Sequence, residues 1–355
     1  MQRFLLRHLG NLGDMTFFVP PVLESLKKHY PGCHITVVTS WGFKEKKRWL
    51  ASRSLGEGWG KRNQGGHSLH LLMTNPHIDE LAHWHDTTLS LAGDICHEDG
   101  QSFLTWSRDY YEEQKQSGKF DGVFELDFGL KIEDNPINRV YESVGLPDET
   151  FGNYRLYLTE QDRAVARAAI DAAPRPRIVL LEGLGGIPMR HWDPGKIPAL
   201  EAAIKKVYGV APIWFGARFA PYYQGRPLTL RENIATLTFC DIAIGVLSGP
   251  IHFAAAVGLP TLTLYGDHPL HRAAPAYFLN PYISDERRWH RTLLSPTGPV
   301  MKIFKPETPD SNLTPAEVKR QNFKNWMLPG RQASKSSLAV ITVAEIMLVL
   351  QDMMR

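Results

Sequence analysis

Cysteine is scarce: three residues, Cys33, Cys96 and Cys240, are scattered through 355. An odd, dispersed set is no disulfide framework and points to a reducing compartment, here the cytoplasm. No Cys or His pair has zinc-site spacing. No apolar run reaches the roughly 20 residues of a membrane span. The opening Met1–Arg7 is too short and too charged for a signal peptide and reads as a first buried strand. No Gly-x-Gly-x-x-Gly follows either first strand, which speaks against a nicotinamide-dependent dehydrogenase. Internal repeats and low-complexity tracts are missing, and the net charge is only +3.

What is present belongs to a globular protein: 43% hydrophobic and 22% charged residues, in a chain long enough for two domains. Arg3–Leu9 is a short apolar run, Gly10–Asp14 a turn, Thr16–His29 a helix by its spacing, and His34–Thr39 a β-branched strand. That βαβ unit favours a parallel sheet. Further on, Ser68–Met73 reads as a strand, Asn75–Leu81 as a loop, Trp106–Gln116 as a helix, Gly122–Leu126 as a strand and Ile137–Val144 as a helix. Thr159-Glu160-Gln161-Asp162 has the signature of a helix start. A second alternating series follows Pro174-Arg175-Pro176: strands at Arg177–Glu182, Pro212–Phe215 and Ile242–Val246, with a helix over Pro194–Val207. The last helix, Ile341–Met354, is strongly apolar through Ile346, Met347, Leu348 and Leu350 and is expected to pack back on the body. The division that results is 1–158, 159–335 and a closing helix in 336–355.

The most telling stretch runs from Gly245 to Thr261. It reads as a strand end, a Ser248-Gly249-Pro250 turn, a small apolar helix carrying His252 and Ala254–Ala256, and a Gly258-Leu259-Pro260 stop before a new strand. Ser248 suits an N-cap and Pro250 the first helical turn. A helix start with unpaired N–H groups and a close-approach glycine is a seat for a diphosphate. His252 reads first as a packed helix residue, and secondly as part of that seat.

Three other places carry candidate chemistry. Asp14, at the end of the Gly10-Asn11-Leu12-Gly13 turn, has two readings: a general base at a cleft rim, or the N-cap of the helix that follows. In Glu182–Trp192, Gly183, Gly185 and Gly186 permit close approach of a ligand, and Arg190 offers fixed positive charge to a leaving diphosphate. Trp214–Arg218 closes a strand and suits a nucleoside pocket, with Arg218 at its end. Lys44, Lys46, Lys47 and Arg48 open a basic segment that reaches Arg62 and is interleaved with Trp41, Phe43, Trp49 and Trp59. It reads either as a solvated loop or as a docking surface for an anionic acceptor.

Taken in order, these pieces resemble glycosyltransferase family 9, the ADP-heptose:lipopolysaccharide heptosyltransferases. Leu9–Asp14 resembles the family's Leu-Gly-Asp loop, and His29–Ile35 the Tyr-Pro segment before its second strand. Asn75–Glu80 is similar to the Asn-Pro-x-Ile-Asp-Glu run, Arg190–Pro194 to the Lys-x-Trp-Pro segment, and Ser248–Thr261 to the Ser-Gly-Pro-x-His motif. Two positions depart from the pattern: Leu247 stands where an acidic residue is usual, and Arg190 where a lysine is.

The resemblance implies an α/β protein of GT-B fold, two Rossmann-like domains facing across a cleft, with the acceptor in the first and the nucleotide-sugar donor in the second. It implies inverting, metal-independent transfer without a cofactor, Asp14 being the base. Gly185, Gly186, Arg190, Arg218, Ser248, Gly249, Pro250 and His252 would line the donor side. Asn11, Lys44, Lys46, Lys47 and Arg48 would line the acceptor side. The partners so expected are a nucleoside-diphosphate sugar, with ADP as its nucleotide, and an anionic glycan or glycolipid such as lipopolysaccharide core, with at most peripheral membrane contact. Two other readings stand beside it: a glycosyltransferase acting on hydroxylated bases in DNA, whose phosphates would be gripped by the basic segment, and a non-catalytic sugar-binding or assembly subunit.

Overall fold

The computed structural model describes residues 1–8, 12–39, 67–85, 95–98, 101–126, 136–146, 155–181, 192–215, 222–223, 226–265, 275, 279, 284–285, 289–294 and 337–355. Its first half contains β1 (Arg3–His8), α1 (Leu12–His29), β2 (His34–Thr39), α2 (His67–Leu72), β3 (Glu80–His85), β4 (Ile95–Glu98), β5 (Gln101–Ser107), α3 (Arg108–Gln116), β6 (Gly122–Glu125) and α4 (Pro136–Ser143). Its second half contains α5 (Glu160–Ile170), β7 (Ile178–Leu181), α6 (Ile197–Tyr208), β8 (Ile213–Phe215), β9 (Tyr222–Tyr223), β10 (Arg226–Pro227), α7 (Leu230–Leu237), β11 (Ile242–Val246), α8 (Gly249–Ala256), β12 (Thr261–Tyr265), β13 (Arg291–Leu294) and α9 (Val343–Met353).

The described strands make a six-stranded sheet in the order β4-β5-β3-β2-β1-β6, a five-stranded sheet in the order β13-β12-β11-β7-β8, and a two-stranded ribbon, β10-β9. Every pair in the five-stranded sheet is parallel; in the larger sheet only β4 and β5 run antiparallel. Parallel sheets demand cover on both faces, and the central strands accordingly bury apolar residues in mid-strand: Leu5, Leu6, Ile35, Val37 and Val38 in one sheet, Ile178, Ile242, Ala243 and Leu262 in the other, all at most 1% exposed.

The first βαβ unit matches its sequence reading, but α1 begins at Leu12, so part of the expected Gly10–Asp14 turn is already helix. It continues through Pro20 and Pro21, each of which removes a backbone donor. Ser68–Met73 is a correction: the segment is α2, not a strand. A six-residue apolar run does not separate the two by periodicity, and burial of Leu69 and Leu72 on one side, three residues apart, is decided by neighbouring helices. The expected helix at Trp106 begins at Arg108 instead. Trp106 and Ser107 end β5, and Ser107 caps α3 by accepting from the Tyr110 N–H at 3.2 Å. The Thr159 signature holds as a full capping box with Asp162. At the far end, Thr342 and Glu345 form another, and α9 packs against α6 through Ile346, Met347 and Leu350. Leu348, expected in that apolar face, is 70% exposed, because it falls on the opposite side of the helix from Ile346.

Candidate functional site

Each sheet reverses its winding once, and in open α/β sheets ligands bind outside the carboxyl ends of the strands at that reversal. In the six-stranded sheet the chain winds outward from β1 through β2 and β3, then returns to place β6 on β1's other side. The reversal is therefore between β1 and β6. There the Leu126 N–H donates to the Arg7 carbonyl at 2.8 Å, His8 Nδ1 lies 3.2 Å from the Leu126 carbonyl oxygen, and Thr39 Oγ1 donates to the His8 carbonyl at 2.7 Å. These bonds fix the end of β1, and α1 starts four residues later.

Asp14 is the third residue of α1. It is thus not the N-cap, the second of its two readings, because the helix begins two residues before it. It lies in the first turn, where the field of the helix favours a carboxylate. Its side chain and the whole of Asn11 lie outside the described residues, as do Lys44, Lys46, Lys47 and Arg48.

A polar cluster borders this corner on the sheet's other face. The Arg7 guanidinium lies 4.9 Å from the Tyr111 ring centre and 5.3 Å from that of Trp84, and pairs with Glu125 at 3.2 Å. Burial pushes the Glu125 carboxyl up, but the Lys115 hydrogen bond and the Arg7 and Lys115 charges outweigh it and hold it below the usual range. Burial also raises the Tyr111 phenol, helped by the Glu125 charge. The corner keeps a fixed cation and a fixed anion at neutral pH.

In the five-stranded sheet the reversal falls between β7 and β11. Gly245 of β11 is paired with Leu181 of β7, and a Cβ there would lie 2.7 Å from Leu181 Cβ. Glycine is what lets the two strands keep their spacing at this point. Three residues on, Ser248 occupies the N-cap position of α8 with extended backbone. Its hydroxyl does not cap: Oγ donates back to the Val246 carbonyl at 3.1 Å. Gly249 and Pro250 form the half-exposed first residues of α8. Leu247, at the position that is acidic in the family pattern, is 5% exposed and belongs to the hydrophobic core. Gly185, Gly186 and Arg190, which follow β7 in sequence, and Arg218, which follows β8, lie outside the described residues.

The two corners meet. Helices α1 and α8 pack together, with the rings of Phe17 and His252 5.1 Å apart. Phe17 is the sixth residue of α1 and His252 the fourth of α8, so each ring lies within roughly 9 Å of its helix start along the axis, at about 1.5 Å per residue. His252 is 6% exposed. The ring contact, and the wholly buried α7 with Arg231 at its start, are missing from the sequence reading. The Thr229-x-x-Glu232 capping signature was a usable signal for α7, and the structure contains that box.

Among the described residues no group of three His, Cys, Asp or Glu is placed to hold a metal ion, and no helix is long and apolar enough to cross a membrane.

Residues 225–290, which span α7, β11, α8 and β12, match the family model described as glycosyltransferase family 9 (heptosyltransferase). No curated protein matches the chain. Among solved structures, a glycosyltransferase of family 9 from Veillonella parvula is similar over 99% of this chain and 97% of its own, with 16% identity and a TM-score of 0.50. The dodecameric, iron-containing heptosyltransferase TibC of enterotoxigenic E. coli, in its complex with ADP-D-beta-D-heptose, is similar over 100% of this chain and 76% of its own, with 14% identity and a TM-score of 0.50. E. coli ADP-heptose lps heptosyltransferase II is similar over 99% and 98%, at 15% identity and a TM-score of 0.49. The chain has the GT-B fold and is heptosyltransferase-like, similar to glycosyltransferase family 9 in its ordered motifs and in the family model matched by residues 225–290.

Proposed function

We propose that the chain is an inverting glycosyltransferase that moves a heptose-like sugar from a nucleoside-diphosphate sugar, ADP-linked by analogy with TibC's ligand, to a hydroxyl of an anionic glycan or glycolipid of the lipopolysaccharide-core kind. One observation carries the reading: the reversal points of the two sheets each lead into a helix start, and those two helices pack on each other near their starts. One start carries a carboxylate residue, Asp14, and the other a Ser-Gly-Pro turn. A base and a diphosphate seat on opposite halves of one cleft are what sugar transfer between two substrates requires.

In this reading residues 1–158 bind the acceptor and 159–335 the donor, with the closing helix of 336–355 on the donor half. Asp14 takes the proton of the acceptor hydroxyl as its oxygen bonds to the anomeric carbon. The bond from that carbon to the diphosphate breaks on the opposite face, inverting the centre. The departing diphosphate is received by the α8 start at Ser248, Gly249 and Pro250, with His252 behind them, and by Gly185, Gly186, Arg190 and Arg218. Fixed positive charge and helix N–H groups then do the work a divalent ion does elsewhere. Asn11, Lys44, Lys46, Lys47 and Arg48 hold the acceptor's anionic groups, at most at a membrane surface.

The test is a thermal-shift panel of ADP, UDP, GDP, CDP and TDP, followed by transfer assays with Asp14→Asn. A selective ADP shift and a transfer rate lowered by about 10²–10⁴-fold at unchanged nucleotide affinity are expected. Wild-type turnover in Asp14→Asn would remove Asp14 as base, and a shift with another nucleotide would replace the donor. A second reading, a non-catalytic sugar-binding subunit, draws on Leu247, whose side chain lies in the core where the family pattern has a carboxylate. It predicts no shift with any nucleotide and no transfer.

A further inference from the structure

Helix α7 has no solvent-facing side: all eight of its residues, Leu230 to Leu237, are buried, Arg231, Glu232 and Asn233 included. A guanidinium taken out of water is strongly destabilising unless its donors are bonded. Arg231, 4% exposed, is bonded at all five. Nε donates to Asp162 Oδ1 at 3.4 Å. Nη1 donates to the His70 carbonyl at 3.1 Å and to Thr74 Oγ1 at 2.7 Å. Nη2 donates to the Tyr157 carbonyl at 3.3 Å and to Asp162 Oδ2.

These acceptors come from three stretches of chain. His70 and Thr74 belong to α2 and the turn after it, in the six-stranded half. Asp162 opens α5, in the five-stranded half. Tyr157 lies in the segment that leads from the six-stranded half into α5 of the five-stranded half. The crossing segment is tied at residues 155, 156 and 157. Thr74 Oγ1 donates to the Tyr157 carbonyl, the Tyr157 hydroxyl lies 3.2 Å from His77 Nε2, the Leu156 N–H donates to the Ala256 carbonyl at the end of α8 at 3.1 Å, and Arg155 pairs with Glu24 of α1 at 3.4 Å. Crossings between domains are ordinarily exposed and flexible; this one is bonded like a core element.

We propose that Arg231 is a positioning residue: the pivot that ties the two halves together at the crossing and so sets the relation between the α1 and α8 starts. The five-donor fork is the reason for arginine. A lysine keeps the charge, but its single nitrogen cannot reach acceptors on three segments at once. Motion of one half against the other then turns about this point and does not separate it. The consequence for transfer rests on the function proposed above; the mechanical consequence does not.

The experiment is hydrogen exchange on the full chain, wild type against Arg231→Lys, followed by steady-state transfer with an ADP-sugar. We expect the Leu156 and Asn75 amides to lose protection by tenfold or more, while amides of Leu5 in β1 and Ile244 in β11 keep theirs. Affinity for ADP should stay within about twofold and donor KM should hold, while kcat falls by tenfold or more. If Arg231→Lys does not fold, Thr74→Val, which removes one acceptor at a half-buried position, should show the same pattern with smaller amplitude. Unchanged protection at Leu156 in a folded variant overturns the pivot, as does an equal loss across both sheets, which marks a general stability role. If wild-type protein transfers no sugar, the exchange measurements alone decide for or against the pivot.

Discussion

Replacing Gly245 by alanine places one methyl group at the reversal point of the five-stranded sheet. That carbon would lie 2.7 Å from Leu181 Cβ and 3.3 Å from both Leu181 Cδ1 and the Leu181 carbonyl oxygen. Carbon atoms rest about 3.5–4.0 Å apart, so roughly 1 Å of room has to be made. A rotamer change moves Cδ1, but Cβ and the carbonyl travel only with β7 itself. The two strands are joined by a parallel ladder in which Gly245 faces Leu181, at a spacing of about 4.8 Å that hydrogen bonds hold tightly. Overpacking of this kind costs about 1–3 kcal/mol. The lost flexibility of the unfolded chain returns about 0.4–1 kcal/mol, which leaves a net destabilisation of up to about 2.6 kcal/mol. Urea unfolding should show the lower midpoint with an unchanged slope. Because Val246, Leu247 and Ser248 continue the displaced strand, transfer should fall by up to about 10²-fold, the scale of a 1 Å misplacement. Gly209→Ala is the control. With φ at +75° and nothing within 4 Å, it should cost about 1–2 kcal/mol through backbone strain and leave transfer untouched. Gly245→Ala protein as stable as wild type, with full turnover, would refute the packing argument.

Other outcomes follow from single contacts. Ile346→Ala, at a position with 0% exposure, should destabilise by about 2–5 kcal/mol, whereas Leu348→Ser on the 70% exposed side should lie within about 0.5 kcal/mol of wild type in the same urea assay. Thr342→Ala removes the capping box of α9 and should lower stability by about 1 kcal/mol, with faster amide exchange confined to that helix. Burial pushes the Asp79 carboxyl up, but the Lys27 hydrogen bond, the Ile35 N–H and the Lys27 charge together bring it below its ordinary value of 3.8. Its contribution is therefore complete above pH 3.8 and lost as pH falls through the lowered folded value. Asp79→Asn should flatten stability against pH in that acid range and leave the slope above pH 5 unchanged.

Local pattern was enough for the β1-α1-β2 unit, for β11 and α8, and for the capping box at Thr159, because each is dictated by neighbours within a few residues. Hydrophobic periodicity marks the buried face, Gly258 and Pro260 end a helix, and a Thr-x-x-Asp or Thr-x-x-Glu run closes on itself. The ordered motifs also led to the GT-B fold and to the likeness with family 9. Where local pattern gave out, distant contacts had taken over. His67–Leu72 is helical because α1, α7 and β3 receive it as a helix; β13 pairs with β12 across a long connection; and Leu348 faces water although its neighbours on both sides of the sequence are apolar.

Sequence alone determined the alternation of the first βαβ unit and of the β11-α8-β12 stretch, and with them the α/β class and the kinds of residue available to the site. Only tertiary structure decided that the β1–β6 and β7–β11 reversals lead to helices packed on each other, that the Ser248 hydroxyl turns back to Val246, and that Leu247 points into the core. It alone gathered acceptors for Arg231 from residues 70, 74, 157 and 162. The reason is physical. Helix and strand signals decay within a few residues, whereas a buried guanidinium is satisfied by whatever the folded chain brings within hydrogen-bonding distance, at any separation in sequence.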